Sequence, residues 1–240
     1  MKNQITKSLS ALTVVLLMFT TACNINCIKG SGRQTTESRN VSNFTKVEFG
    51  GNIRLKVKED STFSMKITAD DNIQKEIKTR VRNGVLEIEM DGNFCNSGLI
   101  EIELGAKKWE GIKASGATQI ISENQIHSDN FKLDLSGASK VNLDLVTGKL
   151  STESSGSASI LLRGQARQHD VDLSGASEIH AYDFVVSDYR IESTGASNCE
   201  INALTSLFVK TSGASKIYYK GNPKNVSEDK SGAASLKHVD

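Results

Sequence analysis

The stretch FKLDLSGASKVNLDL, residues 131–145, decides the fold class of this chain. Apolar and polar residues alternate on both sides of its central segment, Ser136-Gly137-Ala138-Ser139. A period of two residues is typical of a β-strand with one buried face, and the small residues between the two runs indicate a turn. The stretch therefore predicts two strand segments that meet at a corner.

The same corner recurs through the second half of the chain. A Ser/Thr-Gly-Ala/Ser string occurs seven times, at spacings of 18 to 21 residues. In every copy the two residues after the glycine are small, and the fourth after it is apolar or cysteine. The period indicates that each copy is one structural unit of a repeat protein. The seven glycines are Gly116, Gly137, Gly156, Gly175, Gly195, Gly213 and Gly232.

This spacing favours a parallel β-solenoid over an antiparallel meander, because residues 111–240 contain no Asn-Gly hairpin signal. About 19 residues at ~3.3 Å each trace about 60 Å, enough for one coil of two or three sides. Coils would stack ~4.8 Å apart, with the glycines in a single file where only small side chains fit. We expect the hydroxyl before each glycine to bond neighbouring backbone.

The first half, residues 41–110, predicts an irregular β region that continues into the solenoid of residues 111–240 and covers one end of its core. Asp71 to Arg80 predicts one short helix, because Ile73 and Ile77 lie four residues apart. Asn83-Gly84 is a hairpin signal.

In the last repeat Glu228 and Lys230 replace apolar residues, which indicates a polar end that discourages pairing with another molecule.

The first 22 residues have the pattern of an export signal: a basic start, an apolar run from Leu9 to Phe19, and small residues before Cys23. Ala22-Cys23 resembles the lipobox of bacterial lipoproteins, which implies lipid on Cys23 and an anchor in the membrane. Ordinary export, with Cys23 an incidental thiol, is the alternative. Residues 23–40 lack periodicity and predict a flexible tether.

Three more cysteines follow, and an odd number in an oxidising compartment leaves at least one unpaired. Cys199 falls in the apolar column four residues after a glycine, so we expect a buried small hydrophobe rather than a nucleophile. Cys95 is a loop thiol or one half of a bridge, and the pairing of Cys27 is open. No cysteine has zinc-site spacing, so the sequence predicts no metal centre of that kind.

Composition excludes one class of partner. The 240 residues carry 29 Lys and Arg against 28 Asp and Glu, a net charge of +1. No overall field attracts nucleic acid, and we expect no nucleic-acid partner. No catalytic motif is present, and the four histidines, His127, His169, His180 and His238, are interpreted as isolated surface or edge imidazoles.

One set of outward residues is a candidate ligand or cation column. Three residues before successive glycines stand Asp134, Glu153, Asp172 and Glu192, called the acidic column from here on. Stacked carboxylates ~5 Å apart repel unless they are neutralised. Lys132 and Arg190, or solvent, would neutralise them. Alternatively Ca²⁺ would bridge them, or they would serve as a glycosidase pair.

Four opening segments are distinctive when they are taken with the repeats: 30–33 (GSGR), 37–41 (ESRNV), Phe44 to Phe49 and 51–53 (GNI). Together they resemble the head GIN domain family, also called putative auto-transporter adhesins or DUF2807, over about residues 30–235. The resemblance implies a right-handed parallel β-helix in an exported or lipid-anchored protein of the bacterial envelope, and it brings no catalytic residues. We therefore expect a structural or binding module in the envelope, at the outer membrane, with a glycan or protein ligand and no cofactor. The alternatives are a carbohydrate-active β-helix enzyme and an accessory to a signalling or transport partner.

Overall fold

The structure, a computed structural model, describes residues 27–95 and 97–240. The proposed signal peptide and Cys23 lie outside the described residues. Within them the chain is almost entirely β, with one helical turn, α1 (Asp71–Gln74). The strands are β1 (Ile28–Lys29), β2 (Gln34–Ser38), β3 (Lys46–Gly50), β4 (Ile53–Glu59), β5 (Ser64–Asp70), β6 (Ile77–Arg82), β7 (Val85–Met90), β8 (Phe94–Cys95), β9 (Ile100–Ala106), β10 (Gly111–Ser122), β11 (Ile126–Gly175), β12 (Glu178–Ser193), β13 (Asn198–Gly213), β14 (Lys216–Lys220), β15 (Asn225–Gly232) and β16 (Ser235–His238).

The second half is a parallel β-solenoid, as the repeat predicts. β10 pairs with β11 in parallel from Gly111 opposite Lys132 to Ile121 opposite Asn142. This register puts Gly116 opposite Gly137. β11 runs for 50 residues through successive coils, and β12 to β16 continue the stack in parallel register. Equivalent residues of successive repeats therefore lie above one another.

The glycines form the predicted file, and backbone contact explains why. A Cβ atom on Gly137 would lie 2.7 Å from the carbonyl oxygen of Gly116, and one on Gly175 would lie 2.3 Å from that of Gly156. Both glycines also have a positive φ, 96° and 124°, which side chains rarely tolerate. The file begins one coil earlier than the repeat suggests, because Gly116 approaches the backbone of Gly51 in the same way.

The first half adds two coils, in an order that differs from their order in the sequence. β3 and β4 pair in parallel with β10 on one side. On the other side β3 pairs with β7 and β4 pairs with β9, again in parallel. The coil at residues 46–59 thus lies between two later ones. The solenoid consequently includes residues before 111, so it crosses the boundary that we predict between residues 110 and 111.

Antiparallel strands close the N-terminal end, as expected of a covering region. β5 pairs with β9, β2 with β5, and β6 with β7. The β6–β7 turn is the predicted hairpin, with positive φ at both Asn83 and Gly84, as a type I′ turn requires. The predicted helix is shorter than expected: α1 ends at Gln74, and from Ile77 the chain is strand.

The tether prediction is wrong for residues 27–40. Cys27 forms a disulfide with Cys95, and β2 pairs along its whole length with β5. All five residues of β2 are exposed. A polar edge strand has no apolar alternation, so the sequence pattern of this segment could not reveal it.

The core is a continuous stack of Ile, Leu and Val, with a hydroxyl ladder inside the corner. The residue two positions after each glycine points inward, and Thr118 bonds Ser139 at 3.0 Å. Ser177, of the same column, bonds Ser154, which lies two residues before Gly156, at 3.0 Å. The hydroxyls one residue before the glycines are mostly exposed instead. Our expectation that these hydroxyls bond the corner backbone is therefore wrong, and the bonded hydroxyls are those two residues after the glycine. Alternation across the bend turns the second residue inward.

The C-terminal end is polar, as expected. Every residue of β15 is exposed. Glu228 lies opposite Val209 and Lys230 opposite Thr211, so both charged residues stand over the core of the preceding coil. Lys230 Nζ lies 2.9 Å from Glu228 Oε1. This ion pair covers the last apolar layer with charge.

Candidate binding surface

The parallel register brings the acidic column together on one outer face. Asp172 lies opposite Glu192 on the next coil, and Lys210 follows Glu192 one coil further. Asp134 lies opposite Lys113, and Lys113 lies opposite Glu48 of β3. The four predicted carboxylates thus form a short acidic block between two lysines.

Two of the four carboxylates, Glu153 and Glu192, pair with cations on the same face. Lys132 Nζ lies 2.8 Å from Glu153 Oε1, and Arg190 lies 2.5 Å from Glu192. These are the two cations that the sequence places beside the column. The Glu48 carboxylate, 2.8 Å away, raises the pKa of Lys113. The groups of these pairs are at least 40% exposed, so each pair contributes little to stability.

Three residues of the acidic column, Glu153, Asp172 and Glu192, line a shallow hollow of about 250 Å³ rather than a cleft. Over residues 27–95 and 97–240 no group of three or more His, Cys, Asp or Glu side chains is arranged to hold a metal ion. Calcium binding at the column stays a prediction. The hollow gives a glycosidase pair no walls that would enclose a sugar ring.

A larger open groove of about 820 Å³ runs along the glycine corner, which sequence reasoning missed. We call it the corner groove. Its floor is the small residue after each glycine, and its walls are the residues two positions further on. The floor residues are exposed. Their small size therefore keeps the groove open and is not required for packing in the core. The floor residues are Ala117, Ala138, Ser157, Ala176 and Ala196, and the wall residues are Gln119, Lys140, Ser159, Glu178 and Asn198.

The walls of the corner groove are polar, and backbone groups along its floor form hydrogen bonds between successive coils. Ala176 N donates to Gly156 O at 2.8 Å, and Ala196 N donates to Gly175 O at 2.8 Å. These coil-to-coil bonds consume backbone groups at the floor. Asn198 Oδ1, on the wall, has no hydrogen-bond partner among the described residues. Side chains are therefore the groups that can recognise a ligand here. The sequence feature that could have predicted the groove is the small, outward-facing residue that follows the glycine in every coil.

His169 contradicts the interpretation of the histidines as surface groups. It is 0% exposed, its Nε2 lies 2.9 Å from Thr152 Oγ1, and its ring packs against Phe184 and Tyr189. Burial lowers the pKa of His169 to about 3. The position six before the glycine could have shown this, because its equivalents in the two coils on either side are Phe131, Leu150, Tyr189 and Leu207.

His180 and Cys199 occupy two different environments. The Glu200 carboxylate, 2.8 Å from His180 Nδ1, raises the pKa of that half-buried histidine. Cys199 is buried between Ile179 and Ile217 of the adjacent coils. Burial raises the pKa of its thiol to about 12, which agrees with a small hydrophobe and not with a nucleophile.

Coils in register, continuous outer columns and a long open groove define a repeat protein that presents an extended surface. Residues 43–223 match the family described as "Putative auto-transporter adhesin, head GIN domain", and the chain belongs to this family.

Solved structures share the fold. A crystal structure described as a putative adhesin from Bacteroides fragilis superposes with a TM-score of 0.85 at 24% identity, covering 88% of this chain and 100% of that one. One described as a putative adhesin from Parabacteroides distasonis has a TM-score of 0.73 at 21% identity, covering 89% and 100%. Another from the same species, described as a putative lipid binding protein, has a TM-score of 0.70 at 17% identity, covering 89% and 99%. Among curated proteins none matches the chain.

Proposed function

We propose that the chain is a lipid-anchored binding module of the bacterial cell envelope, at the outer membrane, which holds an extended glycan in the corner groove without catalysis. The family and the structures with this fold, described as adhesins, support an envelope binding role. The proposal adds the anchor at Cys23, the ligand class and the site. In the described part of the chain, no helix is both long and apolar enough to span a bilayer.

The length of the corner groove is the observation that carries the ligand class. Its lining runs from Asn52 to Asn198, over six successive positions of the glycine file. Five intervals of ~4.8 Å give a length of about 24 Å. A small molecule would occupy a fraction of this length, whereas a polymer of several sugar units would fill it.

The chemistry of the groove favours a glycan over a polypeptide. A peptide that adds to a sheet needs free backbone groups, and those at the floor bond the neighbouring coil. The walls offer an amide, a hydroxyl and charges of both signs from Gln119, Ser159, Lys140 and Glu178. Sugar hydroxyls donate and accept hydrogen bonds, and they match such a mixed set.

A groove-filling substitution tests the site. Ala176 is exposed on the floor, so we expect Ala176→Arg to block the groove and weaken glycan binding at least tenfold while the protein stays folded. Ser174→Arg, two residues away and also exposed, is the matched control and should bind like the wild type. Binding is measured on an array of envelope and host glycans, with the exported chain carrying Cys23→Ser.

Two results would contradict the proposal. Equal binding by Ala176→Arg and the wild type would place the ligand elsewhere. Shortened glycan products after incubation would show an enzyme and favour the acidic column, in which case Glu153→Gln should abolish turnover. Lipidation is checked separately: the mass of the native protein should include acyl chains that Cys23→Ser lacks.

A further inference from the structure

The N-terminal segment is fastened to the solenoid from Cys27 onward. The disulfide joins Cys27 to Cys95 of β8, the short strand that follows β7 in the chain and precedes β9. Ile28 N donates to Asn93 O at 2.7 Å. The side chain of Asn72 in α1 donates to Lys29 O at 2.8 Å. The segment therefore has little freedom to swing away from the N-terminal end of the stack.

The next residues repeat this attachment. Ser31 Oγ donates to Asp71 Oδ1 at 2.5 Å, and the Arg33 guanidinium pairs with the same carboxylate. Asp70, 1% exposed, accepts from the backbone of Gly32 at 3.3 Å and Gly98 at 3.2 Å. Residues 27–33 are thus held by one covalent bond and a series of hydrogen bonds.

The distance from the proposed anchor to this fastened segment is short. Only residues 24–26 separate Cys23 from Cys27. At ~3.6 Å per residue, four steps span at most about 14 Å. A free tether over residues 23–40 would have extended to about 60 Å. With lipid on Cys23, as the proposed function requires, the N-terminal end of the solenoid cannot leave the bilayer surface.

The end that would meet the lipid has a basic edge and exposed apolar residues. Edge strand β6 carries Lys78, Arg80 and Arg82 and no carboxylate. Arg80 pairs with Glu87 and Glu89 of β7, one strand further from the end. Lys78 and Arg82 have no ion pair within the described chain. Val81, 38% exposed, and Leu99, 42% exposed, lie at this same end. Cations and a few apolar side chains suit an anionic lipid surface.

The disulfide also fixes where the corner groove lies relative to this end. Residues 91–95 and 97–99, which include β8, take the place of the glycine corner in the coil next to Gly51, where Met90 Cγ lies 3.8 Å from the position of a Cβ on Gly51. Leu99 of this segment lines the groove. The groove therefore starts beside the attachment point and runs toward the C-terminal coils.

We propose that the N-terminal end of the solenoid rests on the lipid surface and that the stack stands on it, so that the corner groove leads away from the bilayer. This inference rests on the lipid anchor of the proposed function. Seven intervals of ~4.8 Å separate Gly51 from Gly232 in the file, which puts the last coil about 34 Å further from the lipid than the coil of Gly51.

Energy transfer to labelled lipid tests this orientation. Full-length lipidated protein is placed in vesicles of phosphatidylethanolamine and phosphatidylglycerol that contain an acceptor on the headgroup. A donor is attached through an azide-bearing amino acid at Asp91, at the N-terminal end, or at Lys237, in the last coil. Both side chains are exposed. We expect transfer from position 91 to exceed transfer from position 237 at least threefold.

A slack variant isolates the role of the fastening. Twenty Gly and Ser residues inserted after Asn24 leave the disulfide intact but lengthen the link, so the difference between the two donors should disappear. Equal transfer in the native protein, or a difference that persists in the slack variant, would overturn the inference while leaving the lipid anchor in place. Absence of acyl mass on Cys23 would overturn the anchor itself and the inference with it.

Discussion

Replacing His169 should change how the stability of the protein depends on pH. The ring is buried beside Phe184 and Tyr189 and stays neutral in the native state, with a pKa of about 3. In the unfolded chain its pKa is the ordinary 6.5. Below pH 6.5 His169 therefore binds a proton in the unfolded state but not in the folded state. The free energy of unfolding consequently decreases as the pH falls, until the native pKa is reached.

The magnitude follows from the two pKa values. Each pH unit below 6.5 costs about 1.4 kcal/mol, so His169 should destabilise the native state by about 2 kcal/mol at pH 5 and about 3 kcal/mol at pH 4, relative to pH 8. His169→Gln cannot titrate in this range, and an amide can keep the hydrogen bond to Thr152 Oγ1. The mutant should therefore lose much less stability between pH 8 and pH 4 than the wild type.

Urea unfolding at pH 8, 6, 5 and 4, followed by circular dichroism, measures the difference. His180→Gln is the matched control with the opposite sign. The Glu200 carboxylate raises the pKa of His180, so its contribution is present at low pH and lost as pH rises through the folded pKa. Parallel curves for wild type and His169→Gln over the whole range would refute the reasoning.

Three more perturbations follow from the structure. Replacing both Cys27 and Cys95 by serine opens a loop of 68 residues and should lower the free energy of unfolding by about 4 kcal/mol in urea titrations; an unchanged free energy would contradict this. Gly175→Ala places a Cβ 2.3 Å from the Gly156 carbonyl oxygen and should lower the free energy of unfolding by at least ~3 kcal/mol. The control Ala176→Ser, at the exposed neighbour, should leave stability unchanged. Equal thermal midpoints for the two variants would contradict the close packing of the glycine file. The Cys199 thiol, buried with its pKa raised to about 12, should react with an aromatic disulfide reagent only after unfolding, and rapid native-state labelling would show that the core opens there.

Repetition made the regular part of the fold predictable from sequence. When copies stack in parallel, a column in the sequence becomes a column in space, so the glycine file and the acidic block follow from counting residues. The same reasoning could have placed His169 inside, since its equivalents in the two coils on either side are apolar or aromatic. Read alone, a histidine looks like a surface residue.

Two other features could not be predicted, because they depend on contacts between segments without a repeat. β2 is a polar edge strand, and only its partner β5 defines it. The place of residues 46–59 between two later coils depends on a return of the chain that leaves no periodic pattern. The corner groove was missed for another reason: a small residue is read as a packing requirement, whereas here it is exposed.

The interleaved order of the first coils has a consequence for how the protein assembles. A chain that emerges with its N-terminus first presents β3 and β4 early, yet both their neighbours, β7 with β9 and β10, come later. A folding nucleus must therefore contain most of residues 46–122 before it is stable. Each remaining coil then adds onto a finished template through contacts about 19 residues apart, a local and rapid step. Deletions within the nucleus should abolish folding, whereas removal of the final coils should shorten the rod and leave the rest intact.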